Sequence, residues 1–186
     1  MLKRDAMNFC TDCGKPLELR VPAGDSIPRH ICTSCGKVHY VNPLIVVGCV
    51  PEAGNRILLC RRAIEPRSGY WTVPAGFMEI GETLVEGAAR ETMEEALARV
   101  EIHDLLAVVD VISARQVHLM YRATLLDGGF GAGAESLEVR LFEPEDIPWD
   151  EIAFQSVRFA LEKCLEDRAE GVARLHTTSL NRDRPA

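Results

Sequence analysis

The strongest constraint on how this chain can fold is a set of four cysteines. Cys10, Cys13, Cys32 and Cys35 form a C-x2-C-x18-C-x2-C pattern, and each pair runs into Gly-Lys, as CTDCGK and CTSCGK. Two cysteines three residues apart in a tight turn aim both thiolates at one ion, and the glycine that follows lets the backbone turn with positive φ. Two such turns complete a tetrahedral S4 site, the pattern expected for Zn²⁺. Four thiolates leave no coordination place for water, so the site reads as structural. Residues 1–41 need such a staple, because they carry few large apolar side chains and cannot bury much core alone. The remaining cysteines, Cys49, Cys60 and Cys164, are isolated and read as small buried apolar residues. An odd total of seven does not make a complete disulfide framework.

The N-terminal segment resembles a zinc ribbon. Periodic apolar segments begin beyond it, so the chain divides into residues 1–41, a larger domain over 42–170, and a tail over 171–186 that is expected to be flexible. LIVVGCV (44–50) reads as a buried strand, EAGN as a turn and RILLCRR (56–62) as its hairpin partner. YWTVP is a short extended piece. ARVEIH, LLAVVDVI and QVHLMYRATLL read as three strands, DGGFGAGAE (127–135) as a glycine-rich loop and SLEVRLFE as a further strand. QSVRFALEKCLEDRA (155–169) has a helical face of Val157, Leu161, Cys164 and Leu165. The tail carries Arg174, Arg182 and Arg184. Strands mixed with two separated helices indicate a layered α/β class.

The formal net charge of -7 argues against a general nucleic-acid or membrane-surface binder. The apolar run 44–50 is far too short to span a bilayer, and no apolar run follows the opening MLKRDAMNFC, so the expected location is cytoplasmic.

A helix-forming stretch earlier in the chain carries the chemistry. Thr83 and Glu86 have capping-box spacing, which starts a helix over 83–97. Val85, Ala88, Ala89, Thr92 and Ala96 then share one small, mostly apolar face. Glu91, Glu94 and Glu95 stand at i, i+3 and i+4, so their carboxylates share another arc. Two readings are open from spacing alone. Arg90 with Glu94 and Glu95 with Arg99 make an ordinary solvated face. Three hard oxygen ligands together suit Mg²⁺ or Mn²⁺.

The context favours the metal. GFMEIGETLVEGAARETMEEALA, residues 76–98, closely resembles the Nudix box, G-x5-E-x7-R-E-U-x-E-E-x-G-U, with Gly76, Glu82, Arg90, Glu91, Glu94 and Glu95 in register. Thr92 and Ala98 are small for the apolar U positions, and Leu97 replaces the second glycine. Leucine resists positive φ, so the helix is expected to run on or to end by another route. LLCRRAIEPRSGYWTVPAGFMEIGE upstream and LEVRLFEPEDIPWDEIAF downstream extend the resemblance to about residue 169. The whole is similar to Nudix hydrolases that bear an N-terminal zinc ribbon, relatives of ADP-ribose, FAD and NADH pyrophosphatases. The SQPWPFPxS signature of NADH pyrophosphatases does not occur.

The resemblance implies a Nudix-type α/β/α sandwich with a mixed sheet, and hydrolysis of a nucleoside diphosphate linked to another moiety, with ADP-ribose or FAD as the expected substrate. It implies Glu91 and Glu95 as ligands of Mg²⁺ or Mn²⁺, Glu94 as a third ligand or water-activating base, and the Gly76 carbonyl as a further ligand. Glu82 is expected to pair with Arg90 and fix the loop against the helix, with a place in the metal shell as the alternative. A general base outside the box would be Glu135 or Glu138. Arg61 or Arg62 could hold phosphate, and Tyr70, Trp71 or Phe77 could stack on a base, although Trp71 reads equally as a core anchor. His118 reads as strand surface or a satisfied core histidine. The alternative function is a nucleotide-sensing module, or one that binds nucleic acid or protein through the ribbon. A homodimer is expected by family resemblance only.

Overall fold

A computed structural model describes residues 7–127 and 129–181. The chain divides between Asn42 and Pro43 into two compact units. The first holds a three-stranded antiparallel sheet of β1 (Leu17–Arg20), β2 (Arg29–Cys32) and β3 (Val38–His39). Its buried apolar set is small, comprising Cys10, Ile31 and Cys32.

The second unit is built on an eight-stranded mixed sheet. Its strands are β4 (Leu44–Ala53), β5 (Arg56–Arg62), β6 (Trp71–Thr72), β7 (Ala75–Phe77), β8 (Val100–Val111), β9 (Gln116–Leu125), β10 (Ser136–Phe142) and β11 (His176–Leu180). The order is β10-β5-β4-β9-β8-β11, with β6 on β5 and β7 on β4. β4 and β9 run parallel, as do β8 and β11, and the other pairs are antiparallel.

Helix α1 (Leu84–Ala96) and helix α2 (Gln155–Glu170) cover opposite faces. The alternation of strand side chains makes this visible. On β5, Ile57 and Leu59 join Val157, Ala160 and Leu161 of α2 in the main core, while Leu58 and Cys60 pack with Ala96 of α1. On β4, Val50 faces α2, and its neighbour Cys49 packs with Ala88 of α1. The result is an α/β/α sandwich. Cys49, Cys60 and Cys164 are all buried, and burial pushes the Cys49 and Cys164 thiols up to about 12.

Four features differ from the sequence expectation. ARVEIH and LLAVVDVI form one strand, β8, whose pairing with β9 passes two irregularities between Ile102 and Ala107. Bulges absorb the polar Asp104 without ending the ladder. Val85 does not belong to the buried face of α1 and is 44% exposed.

The tail is also different. Residues 176–180 add β11 to the edge of β8. Asp167, fully buried on α2, is paired by Arg122 of β9 and accepts hydrogen bonds from the Arg174 backbone N–H (3.0 Å) and His176 Nε2 (3.1 Å). Burial alone would raise the Asp167 carboxyl, but these donors hold it below its ordinary value. The chain after α2 is therefore tied back onto the sheet by contacts distant in sequence. Arg182 and Arg184 lie outside the described residues, as does Gly128 of the glycine-rich loop.

Finally, Leu97 itself takes the left-handed conformation, φ 48° and ψ 33°, and its N–H bonds the Met93 carbonyl at 3.0 Å. The helix ends where a glycine would end it, at a cost of roughly 1–2 kcal/mol for the leucine side chain.

Candidate active site

The site begins at the start of α1. Thr83 Oγ1 accepts from the Glu86 N–H (3.2 Å), and Glu86 returns the bond to the Thr83 N–H (2.7 Å), a complete capping box. This sets the phase of the helix. Gly87, Ala88, Glu91, Thr92, Glu95 and Ala96 are turned inward.

Two of those inward residues are carboxylates. Glu91 is 8% exposed and Glu95 is 6% exposed. Both stand against β7. A Cβ on Gly76 would lie 2.4 Å from the Glu91 carboxyl group, so only glycine lets the backbone pass this close. The Ala75 N–H donates to Glu95 Oε2 at 3.3 Å. Burial raises both carboxyls, taking Glu95 to about 8. The charges of Glu91 and Glu135 add to the rise at Glu95, against the Ala75 N–H and Arg62.

Arg90 organises the approach. Its Nε and Nη2 each meet a different oxygen of Glu82 at 2.9 Å. Nη1 is shared between Glu91 Oε1 (2.8 Å) and Glu94 Oε2 (3.0 Å), and Nη2 also reaches the Phe77 carbonyl (3.1 Å). Glu82 accepts a further bond from the Glu79 N–H (2.7 Å). One guanidinium thus ties the 78–82 loop, β7 and the helix together. Glu94 is exposed, and its carboxylate stands beside that of Glu91 through the shared Arg90 Nη1. At about 100° per residue, Glu91 stands between the other two around the helix, roughly 40° from Glu95 and roughly 60° from Glu94. The two buried carboxylates are Glu91 and Glu95.

The other sequence candidates scatter. Arg62 stacks over the Phe154 ring at 5.0 Å, donates to the Pro66 carbonyl (2.9 Å) and acts on Glu95 through its charge. Arg61 holds the Gly69 carbonyl (2.9 Å) and faces Glu138 across the β5–β10 pair at 4.0 Å, an exposed contact. Trp71 is a core residue, 6% exposed and edge-on to Phe142 with ring centroids 4.9 Å apart, so it is not available to stack on a ligand. Phe77 is exposed beside the site. Tyr70 lines a cavity of about 290 Å³ together with Arg67, Trp149, Phe154, Gln155 and Arg158. His118 is buried, bonded through Nε2 to Gln116, and burial lowers it to about 4.

The glycine-rich loop has a role that local sequence did not reveal. Its Gly131 and Gly133 N–H groups bond the Ala96 and Glu95 carbonyls, at 2.8 and 3.0 Å, and so cap the end of α1.

In the first unit, the four cysteine sulfurs lie within 4.8 Å of one another, the only such group of three or more potential ligands among the described residues. Their resolved separations are 3.7 Å (Cys10–Cys35), 3.4 Å (Cys13–Cys32) and 3.6 Å (Cys13–Cys35). A metal at about 2.3 Å from each sulfur of a regular tetrahedron would space the sulfurs roughly 3.8 Å apart, so the donor set fits a thiolate-bound dication. The Ser34 and Cys35 N–H groups point at Cys32 Sγ (3.4 Å each) and help hold its thiol below the usual range. His39, which sequence reasoning passed over, is buried with Nε2 3.4 Å from Cys10 Sγ. Its position two residues after CTSCGK was the available signal.

Two buried carboxylates beside a glycine backbone also suit an oxygen-preferring dication. That pairing sits inside a segment matched by a known family. The NUDIX domain family matches residues 42–160, and the Nudix N-terminal family, a zinc ribbon, matches residues 8–41. The chain belongs to the Nudix hydrolase family. Among solved structures it is similar to a NUDIX hydrolase from Nitrosomonas europaea, with 52% identity, a TM-score of 0.92, and coverage of 95% of this chain and 100% of that one. Among curated proteins it is 28% identical over 132 residues to the ADP-ribose pyrophosphatase of Methanocaldococcus jannaschii, covering 69% of this chain and 74% of that protein. It is 38% identical over 95 residues to the NAD-capped RNA hydrolase NudC of Edwardsiella ictaluri, covering 50% of this chain. The match spans only 34% of NudC's length. No helix among the described residues is long and apolar enough to cross a membrane.

Proposed function

We propose that this Nudix hydrolase cleaves the pyrophosphate bond of a nucleoside diphosphate joined to another moiety, in a reaction that depends on Mg²⁺ or Mn²⁺, with ADP-ribose and FAD as the first candidate substrates. The observation that carries this reading is the inward pair of Glu91 and Glu95 against the Gly76 backbone. Glu91, Glu95 and the Gly76 carbonyl would hold the ion, with Glu94 an outer carboxylate linked to Glu91 through Arg90. When bound, the ion supplies neutralisation of the pyrophosphate and a lowered pKa for a bound water.

The chain's own residues do the rest. Arg90 and Glu82 lock the 78–82 loop to α1 and so hold Glu91 in place. Arg62 is the cation beside Glu95 and is assigned to a phosphate oxygen. The cavity lined by Tyr70, Arg67 and Gln155 adjoins Arg62 through Phe154 and has the aromatic and polar walls to take one end of the substrate. Glu135, whose charge reaches both Glu91 and Glu95, is the candidate general base. Zn²⁺ in the four-cysteine site would act as a folding staple. The expected setting is the cytoplasm, and a homodimer is the expected assembly.

The test is hydrolysis of a panel of ADP-ribose, FAD, NADH, NAD⁺, dinucleoside polyphosphates and NAD-capped RNA with Mg²⁺ or Mn²⁺, with products identified by mass. NAD-capped RNA has its place because of the 38% identity to NudC over half of this chain. Release of a nucleoside monophosphate supports the proposal. Binding of any of these compounds without turnover would instead favour a sensing module.

A further inference from the structure

We propose that Gly133 is a positioning residue for the carboxylate pair, acting through the last turn of α1. The inference rests on the pyrophosphohydrolase reading and extends it to a residue outside the catalytic motif.

Helix α1 has no basic residue in its last turn, and its terminal carbonyls need donors. The loop supplies them through the Gly131 and Gly133 N–H groups, bonded to the Ala96 and Glu95 carbonyls. The seat is close. A Cβ on Gly133 would lie 1.7 Å from the Glu94 carbonyl oxygen, 2.8 Å from the Glu94 carbonyl carbon and 3.2 Å from that of Glu95. These are backbone atoms of the residues that carry the site, so no side-chain rotation relieves the clash. Any side chain at 133 must lift the loop from the helix.

The loop is tied down at its far end as well. The Gly133 carbonyl accepts from the Ser136 N–H (3.1 Å), and the Glu135 carbonyl accepts from the Ala63 N–H (2.8 Å), next to Arg62. Gly133 is therefore the point where the end of α1, the loop bearing Glu135 and the end of β5 are registered to one another. Lifting it would shift Glu95 and Glu135 relative to Arg62 while leaving the hydrophobic core intact. Gly131 differs, because a Cβ there would meet only Leu97 Cδ1, at 3.8 Å, an ordinary contact.

The experiment compares Gly133→Ala and Gly131→Ala in the full-length, zinc-loaded protein. Mn²⁺ binding is read by the free-ion EPR signal, and kcat and KM are measured on whichever panel compound the wild type hydrolyses. For Gly133→Ala, Mn²⁺ affinity should fall by about tenfold or more. Its kcat should fall about a hundredfold, with KM changed much less. Gly131→Ala should stay within about twofold of the wild type, since its added methyl makes an ordinary contact. A folded Gly133→Ala protein with wild-type Mn²⁺ affinity and kcat overturns the inference and leaves the pyrophosphohydrolase reading intact. A wild type that neither binds Mn²⁺ nor turns over any compound removes both. If Gly133→Ala does not fold, amide exchange of the wild type decides. Saturating Mg²⁺ should slow exchange of the Gly133 N–H by about tenfold, because ordering Glu95 stabilises the cap, and unchanged exchange overturns the inference.

Discussion

Arg90 holds Glu82 through two parallel hydrogen bonds, Nε to Oε2 and Nη2 to Oε1, each 2.9 Å. The bidentate fork fixes the geometry of both side chains. Arg90, aided by the Glu79 N–H, lowers the Glu82 carboxyl from 4.5 to about 2. A folded pKa below the unfolded one gives stability that is present above pH 4.5 and is lost as pH falls toward 2. Thermal unfolding of the wild type and Glu82→Gln should therefore show a gap at neutral pH that narrows between pH 4.5 and 2. A gap that does not vary with pH would contradict the pairing.

Glu95 behaves in the opposite sense. Burial, with Glu91 and Glu135 adding to it, raises its carboxyl from 4.5 to about 8. Without a divalent ion at the site, the folded state keeps a proton that the unfolded state has released, so stability falls as pH rises from 4.5 to 8. Glu95→Gln removes that penalty. In buffer without added Mg²⁺ at pH 8, the variant should be more stable than the wild type by about 2 kcal/mol, and Mg²⁺ should raise the wild-type unfolding temperature but not the variant's. Equal stability at pH 8 would show that Glu95 is not buried as described.

Leu97 stands in a left-handed conformation that glycine adopts without strain. Leu97→Gly should stabilise the protein by roughly 1 kcal/mol, seen as a rise in unfolding temperature of about 2–4 °C. Turnover should be unchanged, because the side chain is exposed and forms no part of the carboxylate pair. A destabilised variant would mean that the leucine side chain, which lies near Gly131, contributes more packing than strain.

Removing the metal from the four-cysteine site should unfold residues 7–42 and leave the second unit folded, since the first has few buried apolar side chains of its own. Amide NMR spectra after chelation should lose the dispersed signals around Cys10, Cys13, Cys32, Cys35 and His39, while those of β4 through β11 persist. Unchanged signals from the cysteine turns would contradict a staple role.

These features differ in how far local sequence revealed them. The capping box of Thr83 and Glu86 and the spacing of the cysteines depend on residues a few positions apart, and both were legible. Glu91 and Glu95 could be read as a pair, whereas the exposure of Glu94 follows from the phase of a helix packed on β4 and β7. Strand β11 was hidden, because it depends on Asp167 meeting Arg122, 45 positions away, and His176. The helix exit at Leu97 was hidden for a similar reason. The donors that satisfy the end of α1 come from Gly131 and Gly133, more than thirty positions on. Trp71 was ambiguous until its edge-on contact with Phe142 placed it in the core.

The most direct test of the central claim is hydrolysis of ADP-ribose and FAD in ¹⁸O-enriched water with Mg²⁺, for the wild type and Glu95→Gln, with products analysed by mass. The expected products are AMP with ribose 5-phosphate from ADP-ribose, or AMP with FMN from FAD, with one ¹⁸O in one of the two phosphate products, and Glu95→Gln should lose about a thousandfold in rate, equivalent to about 4 kcal/mol of barrier. Intact substrates, or a Glu95→Gln variant as fast as the wild type, would contradict that claim.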